Sequence, residues 1–193
     1  MELSESELMR RTVAGDSSAY EELVRRFELP LQRFLWGMLS DEEEARDVAQ
    51  DAFMQAFRNR EKFNQAMSFK TWLFTIARNR AISVLRRRRF QPISAEVESH
   101  GDDGPSNMLE QVPDDATNPR ENLVIAEDAR WLRRALERLD ERHRTVLEMK
   151  YLGGMRSREI ADVLGLEVGT VWSRVHHGLK KLKALSAEMN YER

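Results

Sequence analysis

Cysteine is absent from this chain. Disulfides, thiolate metal sites and thiol nucleophiles are therefore excluded together, and packing alone has to hold the fold. Glycine and proline are sparse, at 9 and 5 of 193 residues, and four of the five prolines fall between residues 90 and 119. No run approaches the ~18 apolar residues needed to cross a bilayer, and the opening MELSESELMRRTVAG has no apolar signal-peptide core. The expectation is a cytoplasmic protein with no membrane insertion. Histidine is scarce too: His100, His143 and the adjacent His176 and His177 show no metal-ligand spacing. No glycine-rich phosphate loop, nucleophile elbow or pair of catalytic carboxylates stands out. The reading is a non-enzyme with no cofactor and no metal.

Two local absences say more. Lys70 to Arg89 contains seven Lys and Arg and no acid, whereas Phe90 to Pro119 contains seven acids and no Lys or Arg. The net charge of −2 conceals this polarity, which lies in arrangement rather than sum. At 33% charged and 41% hydrophobic, the composition suits small helical bundles with solvated faces.

What is present is helical periodicity. Leu8, Val13, Tyr20, Leu23, Val24, Phe27, Leu31, Phe34, Leu35 and Met38 recur at helical spacing, followed by Val48, Ala52, Phe53, Ala56 and Phe57, then Phe69, Trp72, Leu73 and Ile76. Gly15-Asp16 ends a first helix and caps a second, Pro30 divides or bends the next stretch, and Ser40-Asp41 precedes an acid-rich first turn. Periodicity stops at Phe90 and resumes at Leu123, running through Trp131, Leu132, Ala135, Leu136, Leu139, Val146, Leu147 and Tyr151. The expected fold is all-α: a helical domain over 1–90, a flexible acidic linker over 91–120, a second helical domain over 121–187 and a tail over 188–193.

Arg156 to Lys183, RSREIADVLGLEVGTVWSRVHHGLKKLK, reads as a helix-turn-helix. Ser157 caps the first helix, Ile160, Ala161 and Leu164 face inward, Gly165 makes the tight turn, and Val171 with Val175 anchors the second helix. The bland alternative is a helical hairpin with no DNA role. Against it stands the outward face of the second helix: Trp172, Ser173, Arg174, His176, His177, Lys180, Lys181 and Lys183, with no acid between Gly169 and Leu185. Such a face suits a major groove and its phosphates. The tract before the linker has two readings. Arg86 to Arg89 can be a solvated helix end favoured by the macrodipole. Alternatively, Lys70, Arg78, Asn79 and Arg80, interleaved with Phe69, Trp72 and Phe74, supply the cations and stacking faces that single-stranded DNA requires. Asp47 and Asp51 share a helix face, but Arg46 lies beside them and the helix dipole accounts for the acids of that first turn.

Four blocks, ELMRRTVAGDSSAYEELVRRFELPLQRF, DEEEARDVAQDAFMQAFRN, FKTWLFTIARNRAISVLRRRR and ALERLDERHRTVLEMKYLGGMRSREIADVLGLEVGTVWSRVHHGLKKLK, together resemble a bacterial RNA polymerase sigma factor of the extracytoplasmic-function (ECF) group in the sigma-70 family. The resemblance implies a promoter-specificity subunit that binds core RNA polymerase and promoter DNA, and an anti-sigma factor that restrains it. It implies a polymerase-binding surface at Asp47, Gln50, Asp51 and Phe53, with Phe53 turned either to the clamp or into the fold. The −10 element, as single strand, would meet Asn64, Met67 and Ser68 in the loop from Phe63 to Phe69, which pockets a flipped base. Asn79 would hydrogen-bond that base, Ser83 lies on the same helix, and Arg80, Arg86 and Arg87 would hold phosphates. The duplex −35 element would meet Thr170, Trp172, Ser173, Arg174, His176, His177 and Lys180, Arg174 contacting either base or phosphate. The acidic linker would either imitate nucleic acid inside the polymerase or serve as a solvated spacer. When free of partners the chain is expected to be a monomer.

The chain departs from the family pattern in places. The loop FNQAMSF lacks the usual Gly and Asp, Trp172 stands where a basic residue is common, and His177 replaces a usual Arg, so an unusual −35 preference is expected. Asp140 stands where Pro often opens the helix, and an Asp N-cap serves equally well. Two other function classes remain. A stand-alone helix-turn-helix regulator leaves the amino-terminal helices unexplained, and a recombinase or nuclease lacks its nucleophile or metal cluster.

Overall fold

The computed structural model describes residues 3–90, 131–132 and 134–188, and every regular element among them is helical. The linker expected at 91–120, the first residues of the second domain and residues 189–193 of the tail lie outside the described residues. Helix α1 spans Glu5–Val13, α2 Ser17–Leu39, α3 Glu42–Arg58 and α4 Phe69–Phe90, with a short 3-10 turn at Arg60–Lys62. Residues 134–137 are helical, then α5 spans Glu141–Leu147 and runs into a π-helical turn, Glu148–Leu152. Helices α6, Ser157–Leu164, and α7, Val168–Glu188, complete the described chain.

Helix starts follow from single side chains that satisfy the free amide groups of a first turn. Asp16 Oδ1 accepts from Ala19 N at 3.2 Å, and Asp41 Oδ1 accepts from Glu44 N at 2.9 Å. Bonds from the Ser18 hydroxyl, then from Arg11 and the Ala19 amide, hold Asp16 down to about 2. Asp140 caps α5 by accepting from His143 N, and its other oxygen accepts from Lys181 Nζ at 2.5 Å, tying α5 to α7.

Two expectations are corrected. Pro30 does not divide the chain into two helices, because α2 runs continuously through it. Phe27, Leu31, Phe34 and Leu35 bury themselves on either side of the proline, and burial of a large apolar side chain, about 1.5–3 kcal/mol each, outweighs one lost backbone bond. Ser157 is not the cap of α6 but its first helical residue; Arg156 precedes it, and the Arg156 amide donates to Glu159 Oε2 at 2.7 Å.

The amino-terminal core is built by α2, α3 and α4 around Leu23, Leu31, Phe34, Leu35, Phe69, Leu73 and Phe74. In the carboxy-terminal helices Val146, Met149, Ile160, Val171 and Val175 close a smaller core. Gly165, at φ 63, supplies the left-handed residue that turns α6 into the loop before α7.

The two cores touch. The π-helical turn lies against α2, and α6 lies against α4. A Cβ added to Gly37 of α2 would stand 3.0 Å from the Glu148 carboxyl carbon, and one added to Gly153 would stand 2.7 Å from the Phe74 ring. Lys70 Nζ, at the start of α4, donates to the Gly154 carbonyl at 2.5 Å. Burial, its largest influence, lowers the affinity of the Lys70 amine for its proton.

Candidate nucleic-acid interface

Helix α7 sorts its side chains by face. Val171, Val175 and Gly178 are buried, and Leu147 packs against Gly178 closely enough that an added Cβ would meet its Cδ1 at 3.0 Å. With 3.6 residues per turn, the opposite strip is Gly169, Ser173, His176, His177 and Lys180, all exposed. Nothing lies within 4 Å of the space above Gly169. Trp172 stands on one flank with 64% of its surface exposed. Arg174 and the half-buried Thr170 stand on the other. The predicted −35 residues therefore share one end and one side of a helix, except that Arg174 turns toward the amino-terminal helices. There it lines a cleft of about 370 Å³ with Arg78, Asp140, Glu141, Arg142, Thr145 and Leu164.

Imidazole geometry adds detail. His177 Nδ1 lies 2.8 Å from the Ser173 carbonyl oxygen and 3.3 Å from its hydroxyl. The His176 and His177 rings meet edge to face, 5.5 Å between centroids at 87°.

The second cluster lies on α4 and the loop before it. Asn64 Oδ1 accepts from Ala66 N at 2.9 Å, folding the exposed loop back on itself. Ser68 Oγ accepts from Thr71 N at 3.0 Å, so this predicted DNA contact caps α4. Met67 is half-buried beside them. Asn79 and Ser83 are exposed, and the Ser83 hydroxyl donates to the Asn79 carbonyl at 2.9 Å, leaving the Asn79 amide side chain outward. Arg86 and Arg87 are exposed with no ion pair among the described residues, whereas Arg88 is held by Glu44 and the Leu39 carbonyl.

The expected interleaving of cations with stacking rings is corrected: Phe69 and Phe74 are 1% and 0% exposed and belong to the core. Trp72 is half-buried against Phe63, 5.2 Å between centroids. That leaves the flank of Trp72 and Phe63 as the aromatic surface beside the loop.

The polymerase-facing candidates separate. Gln50 and Phe53 line a groove of about 590 Å³ between α2 and α3, floored by Tyr20, Val24, Met54 and Phe57 and rimmed by Glu21, Glu28, Arg46 and Arg58. Phe53 is 7% exposed, and its carbonyl accepts from the Tyr20 hydroxyl at 2.5 Å; burial holds that phenol well above its usual range. Asp47 is exposed. Asp51 accepts from Arg80 at 2.6 Å, so a residue assigned to polymerase is paired with one assigned to phosphate. Sequence reasoning named Phe53 here but missed Met54 and counted Phe57 with the apolar stripe; both are exposed, at 41% and 36%, and Met54, a large apolar residue off that stripe, is the signal that could have been read.

A helix-turn-helix with an acid-free outward face, joined to a second basic helix, defines an all-helical DNA-binding protein. Comparison with known proteins narrows the class. The Sigma-70 region 2 family matches residues 23–91, and the Sigma-70, region 4 family matches residues 129–182. The ECF RNA polymerase sigma factor RpoE of Cereibacter sphaeroides is 32% identical over 169 residues, covering 87% of this chain and 86% of that protein. The ECF RNA polymerase sigma factor SigW of Bacillus subtilis is 29% identical over 183 residues, covering 95% and 97%. The chain's fold is similar to that of the sigma factor RpoE solved in complex with the anti-sigma factor NepR from Bartonella quintana, at a TM-score of 0.59 and 20% identity, covering 90% of this chain and 98% of that one. This chain belongs to the ECF RNA polymerase sigma factors. Sigma factors of this family are transcription initiation factors that direct core RNA polymerase to promoters. Among the described residues no helix is long and apolar enough to cross a membrane.

Proposed function

We propose that this sigma factor reads its promoter with two surfaces and holds polymerase with a third. Residues 1–90 form the polymerase-binding and −10 domain, residues 91–120 the linker, and residues 121–187 the −35 domain, followed by a short tail. The α2–α3 groove receives the polymerase clamp, with Gln50 at its rim, Phe53, Met54 and Phe57 as its apolar floor, and Asp47 and Asp51 on the adjoining surface. Asn64, Met67, Ser68 and Asn79 take the flipped −10 base. Ser83 lies one turn beyond Asn79, and Arg80, Arg86 and Arg87 neutralise the phosphates there. Helix α7 enters the −35 major groove with Trp172, Ser173, Arg174, His176 and His177, while Thr170 and Lys180 meet the backbone.

The observation that carries this reading is the outward strip of α7, where five exposed positions from Gly169 to Lys180 include no acid. A solvated helix of a 33%-charged protein normally mixes signs, and an acid-free strip suits a polyanion. The linker between the domains occupies the polymerase interior as an acidic strap. An anti-sigma factor holds the protein inactive, in keeping with the complex that the Bartonella quintana sigma factor RpoE forms with the anti-sigma factor NepR. The protein works in the cytoplasm as a monomer until it meets a partner, and performs no chemistry itself.

Reconstituted transcription tests the reading. The purified chain is added to sigma-free bacterial core polymerase on fragmented host DNA, and the 5′ ends of the transcripts are sequenced. Discrete starts aligned on shared −35 and −10 elements, lost in Asn79→Ala and Arg174→Ala, are expected. A chain that binds duplex DNA but neither binds core nor initiates is a stand-alone regulator instead.

A further inference from the structure

A carbonyl oxygen can only accept a hydrogen bond. The His177 nitrogen 2.8 Å from the Ser173 carbonyl must therefore be the one that carries hydrogen. In the neutral ring this settles the tautomer: Nδ1–H is spent on the helix, and Nε2, at the far end of the imidazole, keeps its lone pair. The Ser173 hydroxyl, 3.3 Å from the same Nδ1, reinforces the rotamer, and the His176 ring standing edge-on at 5.5 Å limits its rotation.

On the outward strip of α7 this fixed acceptor stands beside Lys180, with Arg174 and the Asp140-bound Lys181 on the flank. These cations can only donate, and they suit phosphate or the N7 and O6 acceptors of guanine. An acceptor needs the opposite partner. In the major groove only two base edges present a donor, the N6 amino group of adenine and the N4 amino group of cytosine. The open space above Gly169, on the same strip, lets the helix backbone approach the groove floor with no side chain holding it off.

We propose that His177 is a specificity-determining residue that accepts, through Nε2, a hydrogen bond from the exocyclic amino group of an adenine or cytosine in the −35 element. This rests on the reading of α7 as the −35 helix.

The test uses the full chain assembled with core polymerase. Binding is measured to promoter duplexes carrying every base pair at each −35 position, for the unaltered protein, His177→Ala and His177→Arg. At the position so found, the amino group alone is then deleted, with purine in place of adenine or 2-pyrimidinone in place of cytosine. The unaltered protein is expected to lose about tenfold in affinity on that deletion, as for one hydrogen bond made in a desolvated site. His177→Ala should bind both duplexes equally, and His177→Arg should move the preference to guanine, since arginine only donates. Which deletion acts tells adenine from cytosine. Unchanged base preference in His177→Ala, or no move toward guanine in His177→Arg, overturns the proposal while leaving the −35 reading intact. Binding indifferent to every −35 substitution sinks the −35 reading, and this inference with it.

Discussion

Glu148→Met is expected to make the protein more stable above pH 7. The Glu148 side chain is 1% exposed, sits against Gly37 where the two cores meet, and has no hydrogen-bond partner on either carboxyl oxygen among the described residues. Arg144 Nε, one turn earlier, is 3.7 Å from Oε1, too far for a hydrogen bond. Charges on the elements around it include Lys150 on its own turn, Arg33, one turn before Gly37 on α2, Lys70 on α4, and Arg156 and Glu159 at the start of α6. Burial pushes the Glu148 carboxyl up from 4.5 to about 7, and the Arg144 charge opposes this only in part. Because the native state holds this proton more tightly than the unfolded chain, the carboxyl's contribution is complete below pH 4.5 and is lost as pH rises through about 7. At 1.36 kcal/mol per pH unit, that interval corresponds to about 3 kcal/mol. Methionine keeps the length of glutamate without the charge. Denaturant unfolding at pH 5, 6, 7 and 8 should show the unaltered protein weakening by about 3 kcal/mol across the series. Glu148→Met should be flat across it and the more stable of the two at pH 8. Glu148→Gln should also be flat, but less stable than methionine because it buries an amide without partners. An unaltered protein whose stability does not change from pH 5 to 8, or a methionine variant that is weaker at pH 8, refutes the reasoning.

Three other outcomes follow from the geometry. Asp140→Ala removes the cap of α5 and its tie to Lys181, and should lower stability by about 1 kcal/mol in denaturant titration. Because the bond from Lys181, foremost, holds this carboxyl well below its usual range, the difference between variant and parent should be present at neutral pH and shrink as the medium is acidified. Met54→Asp and Phe57→Asp place charge on the exposed floor of the α2–α3 groove; core polymerase affinity should fall at least about tenfold by fluorescence titration, with thermal unfolding unchanged, and retained affinity would remove the groove from the docking surface. Arg80→Ala should reduce the salt slope of promoter binding by about one, the signature of a lost phosphate contact. An unchanged slope would leave Arg80 as the partner of Asp51 alone.

Much of this architecture was legible because it is local. Asp16, Asp41 and Asp140 each satisfy an amide three residues on, so a sequence window shows both partners at once. The same window misled at Ser157, since a good capping residue beside the start is indistinguishable from one at it, while the Arg156 amide and the Glu159 carboxylate supplied the closure. Pro30 and the rings of Phe69 and Phe74 were misjudged for a different reason: their fate depends on what α2 and α4 pack against, and periodicity tells only that a face is apolar. The contact of Glu148 with Gly37 lay beyond any local pattern, because nothing near either residue announces the other. The ion pair of Asp51 with Arg80 has the same origin and a sharper consequence. Both side chains are about half exposed, so the pair contributes at most about 1 kcal/mol to the fold, and either partner can leave it for polymerase or phosphate at little cost. A single substitution at Asp51 therefore frees Arg80 as well as removing a carboxylate from the proposed docking surface. Losses of polymerase and DNA binding at these two positions should fail to add, and only the double variant separates the two roles.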